Sequence, residues 1–227
     1  MSSQSATPAS GERQRDAERT RAEILAIAQR EFARHGYAGA RVDEIAALTR
    51  TTKRMIYYYF GGKEQLYVEV LEKAYTEVRE VEATIDVQHL APVEAIRTLA
   101  ELTFDHHEAH ADFIKLVSIE NIHEAEHLRK SEVLVNLGAP VAGLISQILD
   151  AGRASGDFVT AADAVDVHMM ISSFCFFRIA NQYTFGTLFG RDLTAPEHRS
   201  RHREMIGEMV VAYLTGAGRA TPRADPL

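Results

Sequence analysis

Residues 53–60, Lys-Arg-Met-Ile-Tyr-Tyr-Tyr-Phe, place two cations and three phenols within eight positions. Met55, Ile56, Tyr59 and Phe60 suit packing, while at least some of Lys53, Arg54, Tyr57 and Tyr58 must face outward. Lys and Arg neutralise phosphates, Arg reads guanine edges, and Tyr hydroxyls bond phosphate oxygens. Further along, His106 and His110 stand one helical turn apart within Asp-His-His-Glu-Ala-His and could share a metal. That stretch is highly polar, which points instead to a solvated helix end. Arg178 sits in a strongly apolar run, where an unpaired charge is too costly to persist. It binds a carboxylate ligand, pairs with Glu120 or Glu124, or lies at a subunit surface. Cys175 in the same run is expected to be an inert thiol, because apolar surroundings raise its pKa. No nucleophile–base pair, phosphate loop or dinucleotide fingerprint occurs, so the chain is not expected to be an enzyme or to need a cofactor.

The elements that hold these residues are all helical. Val42, Ile45, Ala46 and Leu48 recur at three- and four-residue spacing, which predicts a short helix over 42–48. Thr52 is placed to cap a second helix over 53–60 by accepting a bond from its first turn. Two helices across so short a turn form a helix-turn-helix, and an α-helix fits the DNA major groove. A helix over about 18–35 precedes them, with Ile24, Leu25, Ala28 and Phe32 on one face and Gly36 as its stop. After Gly61-Gly62 a helix runs from Lys63 towards Ile85, then others over about 92–107 and 112–122. A long helix is expected over 128–154, kinked or briefly broken near Gly138 and Pro140 and ended by Gly152 and the turn over 154–157. Residues 161–183 are apolar nearly all round, and the last helix covers about 196–214. No repeat and no β pattern is evident.

Composition narrows the class. With 46% apolar residues the chain is globular. No run approaches the ~18 apolar residues of a membrane span, and the N-terminus lacks the apolar core of a secretory signal. One cysteine fits a reducing, cytoplasmic setting. The net charge is −7, yet residues 12–75 hold 12 Lys/Arg against 10 Asp/Glu. A slightly basic head on an acidic body suits a protein that touches DNA at one end.

The Glu44-Ile45-Ala46 triplet, the Thr52-Lys53 helix start, Ile56–Phe60 and Lys63–Tyr67 together resemble the DNA-binding domain of the tetracycline-repressor (TetR) family of bacterial regulators. The resemblance covers roughly residues 18–75 specifically. It implies an all-α fold, with an N-terminal three-helix helix-turn-helix domain and a larger C-terminal helical ligand-binding and dimerisation domain. The expected division is an arm over 1–15, the DNA-binding domain over 16–62, the body over 63–216 and a tail over 217–227. By position, Arg41 and Val42 open the first short helix near the DNA backbone. Thr52 begins the second, Lys53, Arg54 and Met55 face base edges, and Tyr57, Tyr58 and Tyr59 supply contacts to phosphate or thymine methyl. Lys63 meets a phosphate. The N-terminal stretch reads as a solvated tail or, by analogy with homeodomain arms, as a minor-groove arm carrying Arg13 and Arg15. Two departures stand out: Arg50 replaces the usual turn glycine, and Arg41 replaces a Thr cap.

The resemblance further implies a homodimer through residues 161–183 and 196–214, a palindromic double-stranded DNA operator, and release by an unidentified small-molecule effector. Asn121, His123, Phe174, Phe177, Arg178 and Asn181 are the candidate pocket residues, with Tyr183 and Phe176 of the same kind. Each is also readable as ordinary core or helix end. The alternative function is an all-helical metal-binding protein or enzyme built on His106 and His110.

Overall fold

Gly36 is where the first helix gives out. Its φ of 70° and ψ of 172° break the helical course, a left-handed geometry that costs glycine no Cβ clash. In the computed structural model, which describes residues 10–86 and 89–217 and the side chains from 14 onward, α1 spans Ser10–Gly39 across this kink. Residues 10–15, expected as part of an unstructured arm, are therefore helical, and Arg15 is exposed on α1. The Arg13 side chain, the rest of the arm and most of the expected tail lie outside the described residues.

Then follow α2 (Val42–Leu48), α3 (Lys53–Phe60), α4 (Lys63–Glu82), α5 (Pro92–Ala109) and α6 (Ala111–Ile122). A 3₁₀ turn at Leu128–Lys130 leads to α7 (Glu132–Asn136), α8 (Gly138–Ser155), α9 (Ala164–Ala180), α10 (Gln182–Phe189) and α11 (Pro196–Thr215). Among the described residues there is no strand. Proline opens both α5 and α11 at a first-turn position, where its missing N–H would be unsatisfied anyway.

Three boundaries differ from expectation. The helix over 128–154 is three pieces: the break expected near Gly138 falls at Leu137, and a second comes at Ser131, which is extended and caps α7 by accepting from Leu134 N–H (3.1 Å). Pro140 then falls in the first turn of α8. α8 runs past Gly152 and ends at Gly156, at φ 81°, within the turn expected over 154–157. Residues 184–189, expected as loop after a helix ending near Tyr183, are helical and belong to α10. The stretch Glu132–Ser155 is long and apolar enough to cross a membrane by composition. The break at Leu137 divides it, and Val141, Ile145, Ile148 and Leu149 are buried in the core.

Two apolar cores result. One joins α1, α2 and α3 to Leu66, Tyr67, Val70, Leu71, Ala74 and Val78 of α4 and reaches Phe113, Ile114 and Leu116 of α6. The head is therefore not packed separately from the body: α4 and α6 belong to both. The second core fills the space between α5, α8, α9 and α11. Along α5 and α11 an ion ladder reinforces it, with Arg203 on Glu101 (2.5 Å) and Asp105 (3.0 Å) and Arg199 on Asp105 and Glu108 (both 2.5 Å). Gly207 lets the helices approach, since a Cβ there would stand 3.1 Å from Arg97 Cγ.

Candidate functional site

The head is set by its turn. Val42, Ile45 and Ala46 are buried as the spacing predicts, but Leu48 is 55% exposed. Thr49 takes the expected inward place, since seven residues on from Val42 is closer to two full turns than six. Its hydroxyl donates to Ile45 O (2.8 Å), so the polar group is satisfied where it is buried. The helix ends with Thr51 N–H donating to Ala46 O (3.0 Å) and Arg50 N–H to Ala47 O (3.3 Å). This is the Schellman pattern, and Arg50 holds its left-handed position at φ 51°. Thr52 then caps α3 by accepting from Met55 N–H (3.3 Å).

Across α3, Ile56 and Phe60 are buried and Lys53, Arg54, Tyr57 and Tyr58 are exposed. Positions 53, 54, 57 and 58 share one face at helical spacing, so the cationic and phenolic groups point away from the core together. Met55 and Tyr59 are half-buried, and Tyr59 packs against the core, leaving it less to offer a ligand than its neighbours. Lys53 Nζ lies 3.1 Å from Asp43 Oδ1, bridging the two helices of the motif. Arg41 is exposed at the start of α2, whereas the Val42 side chain is buried, so that residue can meet DNA only through its backbone. Lys63 is half-buried: Nζ stands 4.8 Å over the Tyr37 ring and donates to Ala38 O (3.3 Å). Burial holds its pKa below the ordinary lysine value. Arg21 braces the arrangement from α1, over the Phe60 ring at 5.0 Å and paired with Glu69.

The body contains a cavity of about 490 Å³ between α4, α5, α6 and α9. Tyr75, Arg79 and Glu82 enter it from α4, Thr103 and His107 from α5, Phe113, Val117 and Asn121 from α6, and His168, Met169, Ser172 and Phe176 from α9. Of the expected pocket residues, Asn121 and Phe176 line this space. His123 and Asn181 stand at the ends of α6 and α9. Phe174, Phe177 and Arg178 line a different, surface groove with Met205 and Met209. Arg178 is 4% exposed and already engaged: Nη2 meets Glu108 Oε1 (2.6 Å), Nε donates to Leu193 O (3.0 Å), and the guanidinium stands 4.5 Å over Phe104. Its partner is thus neither Glu120 nor Glu124 but Glu108. Glu120 instead accepts from the backbone N–H groups of His127 (3.2 Å) and Leu128 (3.0 Å).

Sequence reasoning missed Arg79, Glu82, His107 and His168. Glu82 falls on the buried stripe that passes through Ala74 and Val78, and a charge on such a stripe was the available signal. Burial pushes the Glu82 carboxyl up to about 7, partly opposed by Arg79, while burial also lowers the Arg79 pKa. Their atoms approach to 2.7 Å, yet Arg79 Nε and Nη1 and Glu82 Oε2 have no aligned hydrogen-bond partner.

The histidine cluster is not a solvated helix end. His106 and His107 are 4% and 6% exposed, because α5 turns that face toward Phe113. Burial lowers both pKa values to about 4. His107 Nδ1 donates to Thr103 O (2.7 Å), and His110 Nδ1 bonds the His106 carbonyl (2.9 Å). Among the described residues no group of three His, Cys, Asp or Glu side chains converges as a metal site. Cys175 is buried and its thiol is pushed up to about 12, which makes it inert.

Comparison with known proteins accords with this geometry. Residues 24–70 match the family described as bacterial regulatory proteins, tetR family, and residues 92–210 match the tetracyclin repressor-like C-terminal domain. The chain is 32% identical to the HTH-type transcriptional repressor NicS of Pseudomonas putida, over 92% of this chain and 98% of that one. It is 38% identical to the repressor SCO4008 of Streptomyces coelicolor, over 49% of this chain and 59% of that one. Among solved structures, the transcriptional regulator SCO4942 of Streptomyces coelicolor superposes with a TM-score of 0.65 at 30% identity, covering 84% of this chain and 97% of that one.

Proposed function

The chain belongs to the TetR family and is a DNA-binding transcriptional regulator, and from that premise we propose that it represses by seating α3 in the major groove of a palindromic operator. The observation that carries this is the shared outward face of Lys53, Arg54, Tyr57 and Tyr58, held rigid by Ile56 and Phe60 beneath. Lys53 and Arg54 read base edges, the tyrosines and Arg41 contact the backbone, and Lys63 uses the donors left free by Ala38 on a phosphate. Residues 16–62 act as the DNA-binding unit and 63–216 as the body, in a cytoplasmic protein.

Reading two half-sites needs two heads. The reading of α9 and α11 as a dimer bundle is supported by their exposed apolar stripe. Val165, Met169 and Phe177 recur at multiples of four on α9 and are 66%, 63% and 46% exposed; Met205, Met209 and Tyr213 do the same on α11 at 37%, 44% and 46%. Phe177, Met205 and Met209 share one groove, and exposed apolar surface of this kind favours association.

The cavity is the effector site in this reading, and α4 is the lever. Lys63 begins it and Glu82 ends it, about 28 Å away at ~1.5 Å per residue. A second link runs through α6. Asn121 borders the cavity, and its neighbour Glu120 clamps His127, whose ring lies 4.2 Å from Tyr37, the ring under Lys63. An effector that prefers a different spacing of α4 and α6 draws the two heads out of register.

The test is titration of operator and scrambled duplexes by fluorescence anisotropy at several salt concentrations. Arg54→Ala is expected to lose roughly 1–3 kcal/mol on the operator and little on the scrambled duplex. Lys63→Ala should weaken both alike and reduce the salt slope by about 0.9 log unit per log salt. An Arg54→Ala protein with unchanged operator preference would remove α3 from base readout.

A further inference from the structure

The cavity walls have an unusual charge balance. Tyr75 on α4 is pushed up to about 12 by burial, while His106 and His107 on α5 and His168 on α9 are lowered to about 4. The α6 wall brings Asn121, and Glu120 behind it is occupied by the amides of His127 and Leu128. Between pH 5 and 9 the charges bordering the space, among the described residues, are therefore those of Arg79 and Glu82 alone. They pair at 2.7 Å, but without an aligned hydrogen bond between them.

Such a pair can adapt in one direction only. Glu82 can neutralise by taking a proton; a guanidinium keeps its proton under all ordinary conditions. A cation entering the space would face an undischargeable Arg79. An anion would face Arg79 alone once Glu82 is protonated, and a guanidinium is the side-chain cation best matched to a carboxylate. The remaining walls fix the body of the ligand. Tyr75 and Phe113 meet edge to face at 5.0 Å, and Phe176 and Val117 complete an apolar corner.

We propose that this cavity binds a small organic carboxylate with a flat apolar body, its carboxylate on Arg79 and Glu82 protonated beside it, so that binding draws one proton from solvent. The proposal rests on reading the cavity as the effector site. Below pH 7 Glu82 already carries its proton and affinity is flat. Above pH 7 the proton must be taken up on binding, and affinity falls by up to tenfold per pH unit.

The experiment is isothermal titration of the full-length protein with benzoate and 2-naphthoate, against 2-naphthamide and 2-naphthylmethylamine. Each is run at pH 6.5 to 8.5 in phosphate and in Tris, whose different ionisation heats reveal proton uptake. The expected result is a carboxylate at least thirtyfold tighter than its amide, with uptake approaching one proton at pH 8. Glu82→Gln should flatten the pH dependence and abolish the uptake. Arg79→Met in the Glu82→Gln background, which leaves no buried charge unpartnered, should bring carboxylate and amide within threefold. Equal or tighter binding of the amide or the amine, or no proton uptake by the carboxylate, overturns the anion assignment and leaves the effector site standing. Failure of all four compounds to bind a protein that still binds its operator overturns both.

Discussion

Replacing Arg50 by glycine should make the protein more stable. Arg50 sits at the left-handed position of the Schellman end of α2, at φ 51°. For a residue with a Cβ that conformation costs about 1–2 kcal/mol. Glycine removes the clash but gains freedom in the unfolded chain, which takes back about 0.5–1 kcal/mol. The net gain is about 0.5–1 kcal/mol. For a chain of this size that raises the melting temperature by roughly 1–4 °C. Thermal unfolding followed by circular dichroism measures it, and Arg50→Ala is the control that separates backbone from charge. Alanine loses the guanidinium yet keeps the Cβ, so it should leave the melting temperature within about 1 °C of the parent. A lower midpoint for Arg50→Gly refutes the strain assignment. An Arg50→Ala protein stabilised as much as Arg50→Gly would attribute the gain to charge instead.

The remaining predictions concern the body. His106 is buried with neither ring nitrogen hydrogen-bonded, so His106→Leu, which keeps the bulk and improves helix propensity, should stabilise by about 1–3 kcal/mol at pH 7 in a denaturant titration. The same variant tests the acid limb. The His106 pKa is depressed to about 4, so its neutral ring favours the folded state above about 6.5 and that stability is lost as pH falls toward 4, by roughly 3 kcal/mol. Glu82, raised to about 7, works in the opposite sense over the same range, but His107 and His168 add to His106, so the parent should melt earlier at pH 4.5 than at pH 7, and His106→Leu should lose less. Gly152→Ala should destabilise by about 1–3 kcal/mol, because the new Cβ meets the Phe158 ring at 2.0 Å; an unchanged midpoint would mean that Phe158 moves aside freely. Met209→Glu on the exposed stripe of α11 should yield a monomer by light scattering with loss of operator affinity, and a dimer that binds normally would exclude that face as the interface.

The two ends of the molecule were unequally legible in the sequence for a physical reason. Most of what shapes the DNA-facing end lies within residues 41–63, where local rules operate: the Thr52 cap, the three- and four-residue spacing under α3, and the glycine-like position of Arg50, with Arg21 and Tyr37 of α1 bracing it. Even the one misplaced side chain there, Leu48, follows from counting turns from Val42. The cavity is assembled from four helices between residues 75 and 176, and no local pattern states which faces meet. Polar residues near the middle of the body were the obvious candidates, yet Arg178 spends its guanidinium on Glu108 and Leu193, and His123 and Asn181 merely finish helices. What distinguishes Arg79 and Glu82 is not polarity but position, for they continue an apolar stripe, and a stripe tells apart the buried from the solvated charge only if its phase is carried the full length of α4. Carried that far, the phase that places Tyr67 and Val78 inside also requires Glu82 inside. A buried carboxylate with an unaligned partner is costly to keep, and the ligand proposed for the adjoining space supplies a reason to keep it.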